Sequence, residues 1–457
     1  MNLSYFIKTV LLLSVFAFFL VKSIKNKNCL LIKKNTLITS SLRIALALLI
    51  CFSVYSDLNN KNSYIMELYR SYLKKADFSH VVAKKNYIGT YANLILTFEG
   101  AFITFPKTKE DSKLVLSKSK AYYNNLSLKG VFKSKPDIIL ILNESTFNPK
   151  YLEMGLSLPQ YSIFNTNKVM TSLLNVHTFG GGTWISQFNA LTGIDISKFS
   201  QTIQMNPFTL LYKFKKSLPM ILKDLNYKSS AILGTDKKYL SNDRNLKRYG
   251  FDTILGTDDF SNTEWSIRDR IIFQKAKEVL ENNTVKPQFV YIETMHNHGP
   301  HGKNFAKDKA NCIRENDQEV CTQLNDYLER LEATSKDSEI LLEYAREGKK
   351  ETLVIFFGDH LPAFDGQIDK LKFQDDINRF VTFYSIFPRS QEERLISPKQ
   401  LDITFLPGLI LDLAGLNKEF YYQTNSYIRH LCQGKAWCGK HPKVEDSFLN
   451  LIVKEVE

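Results

Sequence analysis

Three features of the sequence predict an α/β fold, an α/β/α sandwich with a largely parallel central sheet. Past Pro136, short apolar runs of strand length alternate with longer amphipathic stretches. Most of the runs are largely apolar, as in strands covered on both faces. Each is followed by polar residues able to do chemistry, which suits a sheet whose ligand site lies beyond the carboxyl ends of its strands.

Taken in order, the chain of 457 residues opens with two apolar stretches, 4–21 and 36–55, each long enough to cross a bilayer core of about 30 Å. The first carries only Lys8; the second contains Arg43 and several hydroxyls. A cleaved signal peptide is the competing account of the first stretch, but no small-residue cleavage site precedes the basic segment 22–34. That segment holds Lys22, Lys25, Lys27, Lys33 and Lys34 and no acid, so the positive-inside rule puts it in the cytoplasm and the rest of the chain outside. The expected organisation is a membrane anchor over 1–55, a juxtamembrane linker with some helix over 56–135, and an extracytoplasmic domain over 136–457. An inner (cytoplasmic) membrane location follows.

Strands are expected at 137–142, 228–233, 288–294, 352–357 and 380–387, with helices at 218–225, 265–280 and 323–346. Cys312 with Cys321 and Cys432 with Cys438 form two close pairs in the outer part, which predicts two short-loop disulfides; other pairings and four free thiols stay open. The net charge of +13 is spread along the chain, and no aromatic-rich basic motif accompanies it. No nucleic-acid partner is expected, and a basic surface facing anionic lipid is the better account.

Chemistry gathers at the strand ends. Asn143-Glu144-Ser145 follows the first run, His296-Asn297-His298-Gly299-Pro300 the third, and Gly358-Asp359-His360 the fourth. Singly, each is an ordinary solvated turn. Together, two carboxylates and an imidazole at one sheet edge suit a divalent cation, manganese first, with magnesium or zinc as alternatives. Between the first two lies His177-Thr178-Phe179-Gly180-Gly181-Gly182-Thr183-Trp184. Three consecutive glycines permit backbone angles closed to other residues, and a helix begun over 185–191 would offer its amides to an anion beside Thr183. A flexible turn without chemistry is the bland alternative.

These motifs, with the following run 188–193 (FNALTG), Leu361-Pro362 and Asp402-Ile403-Thr404-Phe405-Leu406-Pro407, resemble the lipoteichoic acid synthase and phosphoglycerol transferase branch of the alkaline phosphatase and sulfatase superfamily. The resemblance covers about 136–416 and keeps the family's motif order. It implies that Glu144, Thr183, Asp359 and His360 ligate one divalent metal, that Thr183 forms a phospho-enzyme intermediate, and that His298 contacts the transferred phosphate. Arg244 is the candidate for the family's substrate-binding arginine, although its spacing to Gly250-Phe251-Asp252 is shorter than the family pattern. The implied partners are a phospholipid donor carrying phosphoglycerol or phosphoethanolamine and an envelope polysaccharide or glycolipid acceptor.

Two departures weigh against a polymerase: Ser186-Gln187 stands where the family often has an acid, and fewer apolar spans precede the domain. A formylglycine sulfatase is not expected, because none of the six cysteines has proline two places on. A phosphodiesterase releasing the headgroup to water, and a catalytically silent envelope-binding membrane protein, are the remaining rivals.

Overall fold

The computed structural model describes residues 105–124, 132–153, 158–164, 169–200, 203–204, 206–260, 267–282, 285–302, 318–348, 350–388, 400–416 and 419–457. Both expected membrane stretches and Cys312 lie outside these residues. Among the described residues, no helix is long and apolar enough to cross a membrane.

The elements run in chain order as α1 (Ser112–Asn124), β1 (Asp137–Asn143), β2 (Met170–Asn175), α2 (Thr183–Thr192), α3 (Leu218–Asp224), β3 (Lys228–Leu233), α4 (Asn242–Tyr249), β4 (Thr253–Leu255), α5 (Asp269–Glu281), β5 (Gln288–Glu293), α6 (Gln318–Glu347), β6 (Thr352–Gly358), β7 (Val381–Phe387), β8 (Gln400–Asp402), α7 (Leu406–Leu413), α8 (Phe420–Leu431) and α9 (Pro442–Val456), with short 3-10 turns between them. The eight strands form one sheet in the order β4-β3-β5-β1-β6-β7-β2-β8. β7 alone runs antiparallel to its neighbours, so the sheet is largely parallel as expected.

The central strands are apolar along their whole length because they are covered twice. Ile138, Leu140 and Leu142 of β1 join Leu353, Ile355 and Phe357 of β6 in the core on one face, beneath α2, α3, α7, α8 and α9. The intervening Ile139 and Ile141, with Val354 and Phe356, enter the core on the other face beneath α5 and α6. Helices therefore cover both faces of the sheet. Each such side chain, fully removed from water, contributes about 1.5–3 kcal/mol, which fixes β1 and β6 at the centre. The site stands on those two strands.

Three strands were not expected. β4 and β8 have three residues each, and β2 (MTSLLN) mixes polar and apolar residues because its side chains are only partly covered. Helix α1 lies within the 56–135 segment and packs against α8 and α9: Val115 is fully buried, its amide donates to Ser447 Oγ at 3.0 Å, and the Ser112 amide donates to Asn450 Oδ1 at 3.2 Å. Cys432 and Cys438 are joined by a disulfide with their Cα atoms 5.4 Å apart.

Candidate active site

The register of β1 against β6 pairs Asn143 with Gly358, so Glu144 and Asp359, the next residues, leave the sheet side by side. Ser145 turns the chain sharply, with φ of 50°, and its amide donates to Asp359 Oδ1 at 2.8 Å. The His360 amide donates to the same oxygen at 2.9 Å. On the other side of β1, the Glu144 amide donates to Thr294 Oγ1 at 3.1 Å, which ties the end of β5 to the same edge.

The glycine run delivers the fourth side chain. Gly180, Gly181 and Gly182 all have positive φ, of 63°, 142° and 84°, and an added Cβ on Gly182 would lie 2.6 Å from Thr178 Oγ1. Side chains at all three positions would be strained, and at Gly180 and Gly182 crowded as well. The loop is tied to the residues after β6 by a bond from the Gly180 amide to the Leu361 carbonyl, 3.0 Å. Gly182 caps α2, and Thr183 is the first residue of that helix. Its hydroxyl donates to Glu144 Oε2 at 2.9 Å.

Glu144, Asp359 and His360 are buried, and each offers a ligand atom within 4.8 Å of the others. His360 Nδ1 lies 3.0 Å from the Leu361 carbonyl. A carbonyl only accepts, so the proton sits on Nδ1 and the Nε2 lone pair faces the cluster. Nε2 is 3.2 Å from Asp359 Oδ2 and 3.5 Å from Glu144 Oε1, yet among the described residues neither Nε2 nor Asp359 Oδ2 has a hydrogen-bond partner. Burial, then the Glu144 charge, push the Asp359 carboxyl well above the usual carboxylate range. Burial also resists the charge on Glu144, but the His360 and His298 charges and the bonds from Ser145 and Thr183 hold its pKa below the usual value. Burial lowers the pKa of His360. A neutral imidazole lone pair and two buried carboxylates with an unpartnered oxygen fit a divalent cation, since buried carboxylates need a proton, a charged partner or a metal.

Of the residues singled out from the sequence, Glu144, Thr183, Asp359 and His360 converge. His298 lies on the loop after β5, half-buried, close enough for its charge to act on Glu144 and His360. Its Nδ1 lies 2.7 Å from the Gly299 carbonyl, which leaves Nε2 as the other functional atom. Arg244 is not drawn in: it is exposed on the first turn of α4, and among the described residues its guanidinium forms no ion pair. The structure adds Glu293, buried at the end of β5, where burial and then Glu144 push its carboxyl up to about 7. Gln187 of α2 donates to it at 2.9 Å. The position that often carries an acid in the family thus bonds an acid supplied by a neighbouring strand. Glu293 falls at a strand end inspected for chemistry, but its partner is visible only in the fold.

Residues 136–416 match the sulfatase family. The chain belongs to that family. The matched span includes every residue of the cluster, and the position at the head of α2 is a threonine. An uncharacterised protein of Haemophilus influenzae is 29% identical over 365 residues, 76% of this chain and 65% of that protein. A putative cyclic beta-1,2-glucan modification protein of Rhizobium meliloti is 25% identical over 250 residues, 51% of this chain and 37% of that protein. The chain spans less than two thirds of the length of either curated relative. Among solved structures, the phosphoglycerol transferase GacH of Streptococcus pyogenes, in complex with sn-glycerol-1-phosphate, shares the fold with a TM-score of 0.57 at 18% identity, covering 77% of this chain and 94% of that one.

Proposed function

We propose that this sulfatase-family chain is a membrane-anchored, metal-dependent transferase. It moves a phosphoglycerol or phosphoethanolamine headgroup from a phospholipid to a cell-envelope polysaccharide or glycolipid, with its catalytic domain on the outer side of the inner membrane. One observation carries the reading: a threonine hydroxyl at the first position of a helix, bonded to a buried carboxylate within a three-residue cation cluster. The fold shared with a phosphoglycerol transferase supports the transferred group, and the name of the Rhizobium relative supports a glycan acceptor.

Glu144, Asp359, His360 and Thr183 would hold one divalent cation, manganese first, with magnesium or zinc as alternatives. When bound, such an ion lowers the pKa of a ligated hydroxyl and neutralises charge on phosphoryl oxygens. The chain's own residues supply the rest. Thr183 Oγ1 releases its proton toward Glu144 Oε2, the acceptor it already faces, and attacks phosphorus. The bond from phosphorus to the diacylglycerol oxygen breaks, leaving a phosphodiester on Thr183. Phosphoryl oxygens face the first amides of α2, where a helix favours negative charge. His298 Nε2 donates to a phosphoryl oxygen and passes that proton to the departing diacylglycerol oxygen. The acceptor hydroxyl then gives its proton to His298 Nε2 and attacks the same phosphorus, the bond from phosphorus to Thr183 Oγ1 breaks, and Thr183 takes back the proton held on Glu144.

Mass spectrometry of envelope glycans from cells with and without the protein tests the reading. Loss of a glycerol phosphate or phosphoethanolamine substituent is expected. Unchanged glycans with free headgroup released to water would make the chain a phosphodiesterase.

A further inference from the structure

One helix holds two of the site's loops. Tyr327 of α6 accepts from the Phe147 amide at 2.9 Å and donates to the Phe147 carbonyl at 2.7 Å, which pins the segment leading out of Glu144. One turn on, Arg330 is 1% exposed and forms a two-pronged pair with Asp326, Nε to Oδ1 and Nη2 to Oδ2, both at 2.8 Å. The rest of the guanidinium goes to the His298 loop. Nη1 donates to the carbonyls of His298 at 2.9 Å and His296 at 3.4 Å, and Nη2 to that of Pro300 at 3.1 Å. Asp326 Oδ2 accepts from the Gly302 amide at 2.5 Å.

Helical pairs four residues apart are ordinarily exposed and weak. This one is buried, and apolar residues of similar volume would serve the helix as well. What they would not do is direct three alternate carbonyls. With those of 296, 298 and 300 turned to Arg330, the intervening Gly299 carbonyl is left to accept from His298 Nδ1, at 2.7 Å. That bond holds the ring by Nδ1 and fixes the direction of Nε2.

We propose that Arg330, locked by Asp326, is a positioning residue that fixes the His298 loop and so presents His298 Nε2 to the phosphoryl group. The proposal rests on the role given to His298 above. It acts through backbone geometry and leaves the cation cluster untouched.

The test uses the full chain in detergent micelles, with manganese and a phosphatidylglycerol donor, comparing wild type with Arg330→Lys and Asp326→Asn. Lysine keeps the charge but not the planar fork. Both variants should bind manganese one to one like wild type, while kcat falls about 10–100-fold, as expected of a small misplacement. In ¹⁵N-histidine spectra, the His298 Nδ1 signal, assigned by its loss in His298→Gln, should shift away from its hydrogen-bonded position. Guanidinium ion should restore turnover to Arg330→Gly and not to His298→Gln. If either folded, metal-bound variant keeps wild-type kcat and the wild-type ring signal, the proposal falls. A wild-type chain without transferase activity would overturn the functional reading instead, and the ring signal would still decide whether Arg330 fixes the His298 ring.

Discussion

Asp359 answers two demands at once. Its Oδ1 accepts two backbone amides that shape the turn after β6, and its Oδ2 faces His360 Nε2 without a hydrogen-bond partner. Replacing it by alanine deletes the cluster's unpartnered oxygen and leaves the Ser145 and His360 amides short of an acceptor, a cost of about 1–3 kcal/mol for each buried group. Asp359→Ala should therefore lose bound metal and activity together, with a lower melting temperature. Metal analysis of the purified variant checks this; one equivalent of metal in Asp359→Ala would remove the residue from the site. Asp359 and His360 were legible in the sequence because they directly follow an apolar run. Arg330 was not, because an aspartate and an arginine four apart on a long amphipathic helix look like an ordinary solvated pair.

The element that carries Thr183 is held at both ends by one histidine. His177 stands ahead of the glycine loop, its Nδ1 3.3 Å from Asp195 Oδ1 beyond α2 and its Nε2 3.0 Å from Asp402 Oδ2 at the end of β8. Trp437, inside the Cys432–Cys438 loop, donates to Asp195. Burial alone would lower the imidazole pKa, but Asp402 and then Asp195 reverse this and raise it to about 9. A folded pKa above the unfolded value of about 6.5 means that the stabilisation is complete below pH 6.5 and is lost as pH rises through 9, at most about 3 kcal/mol. Wild type should lose thermal stability between pH 7 and 9.5, and His177→Gln should show little of that slope. Equal slopes in the two proteins would remove His177 as the titrating tie. At this scale the sequence was informative where burial is two-sided: the continuous apolar runs of β1, β5 and β6 stood out, whereas β2 pairs polar with apolar residues and β4 and β8 are too short to show a period. The contact between Gln187 and Glu293 depends on which strand lies beside α2, and no local pattern encodes that.

For the whole molecule, the proposed topology rests on the lysine-rich segment between two apolar stretches, and the Cys432–Cys438 bond agrees with an oxidising compartment. A reporter fused after Glu457 should work if it requires export and fail if it requires the cytoplasm; the reverse pattern would overturn the orientation and the compartment together. The proposed orientation would keep the phosphoryl chemistry on the membrane face where envelope glycans are exposed, with the donor supplied by the bilayer. In the proposed mechanism Thr183 carries the headgroup as a phosphodiester between the two transfers. Incubating the full chain with metal and donor phospholipid but no acceptor, then mapping peptides by mass, tests this most directly. A headgroup phosphodiester on the peptide containing Gly182-Thr183-Trp184 is predicted, and its absence together with near wild-type turnover by Thr183→Ala would contradict the account.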